Sequence, residues 1–262
     1  MERIKEAVAR AREARTTGVV TPTIGAEKPT ATNQGKITYT QTRTVDIPVA
    51  TWARNRVIAG LDDSEFVDSY KILRTQVLQR MKQNGWNALA VTSSKSGEGK
   101  SLTAVNLAIT LAMEISQTVL LVDADLRNPS INALLGLEGT KGLSDYLLDD
   151  VPVSDLLVNP RGVERFVVLP GGRKLPNSSE MLSSPKMADL VDELKSRYPH
   201  RMVIFDLPPL LSRADALAFA PHVDAALLVI GDGEASVADV QHAATMLEGT
   251  NFLGTVLNKA GA

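Results

Sequence analysis

Short apolar runs recur through the last two thirds of the chain, near residues 87–92, 118–123, 165–170, 202–206, 225–230 and 252–257. Most are separated by stretches whose apolar positions follow a helical period, such as Leu102 to Met113, Met187 to Leu194 and Val237 to Leu247. Near-continuous apolar strands are buried on both faces, and strand followed by helix, repeated, sets strands side by side in parallel. The pattern predicts an α/β fold with a mainly parallel, doubly wound sheet and helices on both faces. Ser184-Pro185 reads as a helix start with proline at the first helical position. The amino-terminal part reads differently. Glu2 to Arg15 has helix formers with Ile4, Val8 and Ala11 on one face, and Thr16 to Val49 is rich in Thr, Pro and Gly. The expected division is a short helix and flexible linker over 1–50, a helical extension carrying Trp52 over 51–84, and the α/β domain over 85–262.

Candidate chemistry sits where strands end. Ser94-Lys-Ser-Gly-Glu-Gly-Lys-Ser101 lies between the apolar run Ala88 to Val91 and the amphipathic segment Leu102 to Met113. Gly97 and Gly99 permit φ > 0, so successive backbone N–H groups can converge on phosphate oxygens at the positive end of the following helix. In such a loop Lys100 reaches the β- and γ-phosphates and Ser101 holds magnesium. The strict phosphate-loop pattern asks for Gly six residues before the lysine, and this chain has Ser94 there. Two further strands end in acid: Thr118 to Asp123, followed by Asp125 and Arg127, and Arg201 to Asp206, followed by Pro208 and Pro209. Magnesium takes one or two carboxylates together with phosphate oxygens and water, so acids from two strands meeting Ser101 suit it. These residues predict a P-loop NTPase with Lys95, Ser96, Gly97, Glu98, Gly99, Lys100, Ser101, Leu102 and Arg127 around ATP. Ser101, Asp123, Asp125 and Asp206 are expected around Mg2+. Lys100, Asp123, Asp125 and Asp206 are the expected catalytic set, with Asp123 orienting the acceptor oxygen and the other two acids at the metal, roles that could be exchanged.

The order SSKSGEGKS, VLLVDADLRNPS, VIFDLPP resembles the bacterial tyrosine kinases of capsule and exopolysaccharide operons, with their Walker A, a Walker A′ of form DxDxR, and Walker B. The likeness runs from about Asp68 to Lys259 and includes Leu143 to Tyr146, Leu169 to Gly172 and Ser179 to Ser184. It implies an ATP-dependent kinase working with a membrane polysaccharide co-polymerase, a homo-oligomer, and a cytoplasmic protein recruited to the inner face of the membrane through that partner. The family's ExxRxxR motif at the subunit contact maps onto Asp68, Lys71 and Arg74. By resemblance to related P-loop folds, Asn258 is assigned to the adenine. Lys95 also resembles the extra lysine of the deviant Walker A in MinD- and ParA-like dimerising ATPases. A switch of that class, or a nucleotide-sensing protein with little catalysis, is the alternative.

Composition narrows the field. The 262 residues include no cysteine, which excludes disulfides and thiolate metal sites. No apolar run approaches the roughly 20 residues needed to cross a bilayer, and the charged Met1 to Arg15 does not resemble a signal peptide. Net charge is −2, yet the first 60 residues hold ten Lys/Arg against five Asp/Glu. Over Glu2 to Arg15 the acids Glu2, Glu6 and Glu13 interleave with the bases and no aromatic residue is present for base stacking, so nucleic acid is not the expected partner. The tyrosines are Tyr39, Tyr70, Tyr146 and Tyr198. No tyrosine cluster follows the last apolar run, so autophosphorylation at such a cluster is not expected, and acceptors reduce to another protein or Tyr39.

Overall fold

A computed structural model of the chain describes residues 42–261 apart from 62–64, 115–116, 138, 140 and 198–199. The helix expected over Glu2 to Arg15, Tyr39 and Tyr198 lie outside the described residues. The strands are β1 (Arg43–Val45), β2 (Ala88–Ser93), β3 (Thr118–Asp123), β4 (Val158–Pro160), β5 (Phe166–Leu169), β6 (Arg201–Asp206), β7 (Ala225–Gly231) and β8 (Phe252–Asn258). They form one sheet in the order β1-β4-β5-β3-β6-β2-β7-β8. From β5 to β8 every neighbouring pair is parallel, whereas β4 runs against β5.

Alternation along the strands divides the core in two. Leu89 and Val91 of β2, Leu121 of β3 and Ile204 of β6 join the helices Glu65–Asn84 and Lys100–Ala112 on one face. Ala88, Ala90, Leu120, Val122, Val203 and Phe205 join the helix Pro185–Ser196 on the other. Because successive strand side chains point to opposite faces, a run apolar at every position must be covered twice. The helix Lys100–Ala112 is the most enclosed of these, with 11 of its 13 residues buried. Pro185 occupies the first turn of its helix and the Ser184 hydroxyl caps it by accepting from the Met187 N–H, as the sequence predicts.

Two strands escape the hydrophobic pattern. The Thr/Pro/Gly-rich stretch expected to continue as linker to Val49 gives way to β1, which pairs in parallel with β4. Each is three residues long, too short for a period-two signal, and each is held by its neighbour more than by propensity. The following segment is clamped to the domain. Trp52 is buried and its indole N–H donates to the Leu135 carbonyl at 3.1 Å. Asn106 accepts from the Ile58 N–H and donates to the Arg56 carbonyl, both at 3.0 Å. The charges mapped onto the ExxRxxR motif are engaged within the chain: Asp68 with Lys71 at 2.9 Å, and Arg74 with Glu114 at 3.0 Å.

Candidate active site

All three motifs arrive at the carboxyl ends of adjacent strands. β2 delivers the loop Ser94–Gly99 to the first turn of the helix Lys100–Ala112, and β3 and β6 flank β2 on one side. Asp123 and Asp206 are register partners at the ends of β3 and β6, so the fold sets two carboxylates side by side. The segment after Asp206 runs back along the loop, with Leu210 N–H on the Ser93 carbonyl and Leu211 N–H on the Ser94 carbonyl. Thr92 fixes the proline exit by donating to the Pro208 carbonyl at 2.7 Å.

Gly97 and Gly99 have φ of +92° and +89°. For Gly99 the requirement is doubled, because a Cβ there would lie 2.0 Å from the Asn258 amide nitrogen. That amide donates to the Glu98 carbonyl at 2.9 Å, so β8 reaches the phosphate loop through Asn258. The Lys100 ammonium lies 2.9 Å from Asp125 Oδ2, 3.4 Å from Asp206 Oδ1 and 3.1 Å from Ser101 Oγ. Burial opposes its charge, but Asp206 and Asp125 outweigh that and raise its pKa. Asp123 is wholly buried. Its Oδ2 accepts from the Ser130 and Ile131 N–H groups, each at 3.0 Å. Desolvation, then the neighbouring Asp206, push its pKa up to about 8. Desolvation also raises Asp206, against the pull of Lys100 and Ser101.

Lys100, Ser101, Asp123, Asp125 and Asp206 thus converge. A cleft of about 520 Å³ opens at Lys100, Ser101 and Asp125, lined also by Ser96, Gly97, Leu102, Arg127 and Arg213 among others, while Asp123 and Asp206 are fully buried. Three side chains stand apart from the expected arrangement, among them Glu98, whose carboxylate is taken by the Ser94 hydroxyl and the Lys95 and Gly231 N–H groups. Arg127 lines the cleft, but its guanidinium is spent on Asp215 at 2.9 Å and on the Pro176 carbonyl at 2.6 Å. Lys95 is turned outward, pairing with Asp239 at 2.6 Å. Side chains the sequence reading passed over support the site. Asp215 is held by Arg127 and by the hydroxyl of Ser179, the first residue of the serine-rich stretch 179–184, each at 2.9 Å. Gly171 accounts for part of the Leu169 to Gly172 stretch: a Cβ there would stand 2.6 Å from the Pro129 ring and 3.2 Å from the Asp123 carboxyl carbon. Only the strand-end spacing of Asp215 after Asp206 could have signalled it.

The profile of the family described as ParA, NUBPL iron-transfer P-loop NTPase, matches residues 85–261. Among individual relatives, the putative tyrosine-protein kinase CapB of Staphylococcus aureus is 32% identical over 198 residues, covering 75% of this chain and 85% of CapB. The tyrosine-protein kinase YwqD of Bacillus subtilis is 35% identical over 193 residues, covering 73% and 80%. The chain belongs to the bacterial tyrosine-protein kinase family.

As a member of this kinase family, the chain shares its fold with solved relatives. The kinase domain of Escherichia coli tyrosine kinase ETK superposes with a TM-score of 0.71 at 29% identity, covering 84% of this chain and 83% of that one. MinD of Pyrococcus horikoshii, solved with Mg-ADP, gives 0.57 at 25% identity over 67% and 71%. The succinoglycan biosynthesis transport protein ExoP of Rhizobium meliloti is 29% identical over 212 residues, 78% of this chain but 26% of that longer protein. This tyrosine-protein kinase fold is a nucleotide-binding P-loop fold, and the kinase likeness is closer than the MinD likeness. Among the described residues no helix is long and apolar enough to cross a membrane.

Proposed function

We propose that the chain binds ATP with Mg2+ over the loop Ser94–Leu102 and transfers the γ-phosphoryl group to a protein tyrosine hydroxyl. The observation that carries this reading is the pairing of Asp123 and Asp206 across β3 and β6, directly behind the Lys100 ammonium. Phosphoryl transfer asks for charge neutralisation and alignment, and this arrangement offers both. The acids suit a cation. Asp123 Oδ1 and Asp206 Oδ2 are buried without a hydrogen-bond partner among the described residues. No three His, Asp or Glu side chains there close into a cage of their own, so Asp125, Asp206 and Ser101 would hold magnesium jointly with phosphate oxygens. Magnesium, when bound, neutralises charge on the phosphoryl oxygens.

The chain's own groups divide the remaining work. Backbone amides from Ser96 onward receive the phosphates, and Lys100 exchanges its carboxylate partners for phosphate oxygens. Asn258 lies beside the loop where a base would rest. Asp123, aligned by the Ser130 and Ile131 amides, holds a proton at neutral pH in the nucleotide-free chain; in its carboxylate form it would take the proton of the acceptor hydroxyl. Transfer of label from γ-labelled ATP to protein, read together with free phosphate, tests this: phosphotyrosine is expected, and free phosphate without labelled protein would oppose it.

The setting we propose is polysaccharide assembly, as a homo-oligomer recruited to the inner face of the membrane by the cytoplasmic segment of a co-polymerase. The kinship with ExoP supports it. A MinD-like dimerising switch is the second reading, favoured by the ParA profile match; it requires Lys95 to leave Asp239 and act across a dimer, so Lys95→Ala would abolish ATP-dependent dimers.

A further inference from the structure

Ser94 stands where the phosphate-loop pattern has glycine, and Glu98 is a carboxylate inside a loop built to receive polyanions. Both side chains are completely buried. The Glu98 Oε2 accepts from the Ser94 hydroxyl at 2.7 Å and from the Lys95 N–H at 2.6 Å. Its Oε1 accepts from the Gly231 N–H at 3.2 Å, at the end of β7. The Glu98 carbonyl meanwhile accepts from the Asn258 amide, at the end of β8. Ser94 is not among the residues with positive φ, so the loop starts without the backbone freedom a glycine supplies.

We propose that Ser94 and Glu98 form an internal brace that shapes the phosphate loop in place of the missing glycine, with Glu98 as a positioning residue for the nucleotide. The inference rests on the nucleotide-binding part of the function proposed above. Three donors, all on the side away from the cleft, absorb the negative charge of Glu98, so a carboxylate is tolerated behind the phosphate cradle. Because the Lys95 N–H is already committed, the amides left for phosphate begin at Ser96. The same side chain ties the loop to β7, and its carbonyl ties it to β8, so the phosphate end and the base end of the cleft share one anchor. Replacing the carboxylate by an amide sets a donor against a donor, whichever way the amide is turned.

The test uses the full chain, Mg-ADP as the equilibrium probe, and turnover at saturating ATP. Glu98→Gln releases the loop from the shape that receives phosphate, so Mg-ADP binding should weaken by about ten-fold, the shift that one lost buried hydrogen bond is worth. The brace acts equally in ground and transition states, so KM should rise while kcat stays within about three-fold. Ser94→Ala, which removes one hydroxyl and keeps the remaining bonds, should weaken binding in the same direction. The double variant should bind no more weakly than Glu98→Gln alone, because the two side chains act as one unit. A melting temperature lowered by Glu98→Gln with affinity within about two-fold of the parent would overturn the brace and leave a purely structural carboxylate. Losses that multiply in the double variant would also overturn it. A parent chain that takes up no Mg-ADP would overturn the nucleotide site itself, an outcome distinct from both.

Discussion

Asp123 and Asp206 are register partners at the ends of neighbouring parallel strands, both buried, with the Lys100 ammonium 3.4 Å from Asp206. Two carboxylates so placed cannot both ionise at low cost, and both are raised. Asp123 is held up to about 8.

The consequence for stability has a definite sign. An unfolded aspartate titrates near about 4, so between that pH and about 8 the native chain holds a proton that the unfolded chain has lost. Stability therefore falls as pH rises through this interval, and the raised Asp206 acts in the same direction. The lowered Asp215 and Asp224 act on the acid side of the range and leave this window alone. Calorimetry of the nucleotide-free chain should show a melting temperature falling between about pH 5 and pH 8, with Asp123→Asn removing much of the slope. A parent profile that is flat or rising there would contradict the assignment.

Lys100→Met removes the cation that compensates Asp125 and Asp206. Phosphate release should fall by at least about a hundred-fold, since one preorganised charge at the reacting group is worth that much. The nucleotide-free variant should also be less stable than the parent near neutral pH, because buried carboxylates lose their partner. Turnover near the parent rate would exclude Lys100 from the phosphates.

Gly99→Ala meets two obstacles at once, a φ of +89° and the Asn258 amide 2.0 Å from the new Cβ. Calorimetric titration with Mg-ADP should show binding lost, while Gly97→Ala, which has open space but the same sign of φ, should be milder. Equal losses would mean that Asn258 is not the obstacle.

Trp52→Ala should cost about 3–5 kcal/mol in denaturant unfolding, from the cavity and the unpaired Leu135 carbonyl. It lies outside the cleft, so the KM for ATP should stay near that of the parent. A shift in KM without loss of stability would place this segment in the site instead of the core.

Much of this was legible in the chain because burial on both faces writes itself as continuous apolar strands, and a phosphate loop needs its glycines and lysine in one short segment. Six strands and the convergence of Lys100, Ser101, Asp123, Asp125 and Asp206 follow from such local signals. Arg43–Val45 and Val158–Pro160 carry none, since three residues held by pairing with their neighbours need no period of their own. Arg127 was legible as part of a motif but not in its direction, because Asp215, which claims it, lies 88 positions away. Lys95 was likewise conspicuous, yet its partner Asp239 is 144 positions distant.

The phosphate loop grows out of a helix with 11 of its 13 residues buried, whereas the opposite wall, Ser212 to Ala214 after Asp206, is exposed. One jaw of the cleft is therefore set in the core and the other stands in solvent. A nucleotide held between them would rest on one wall anchored in the core and on another with solvent at its back.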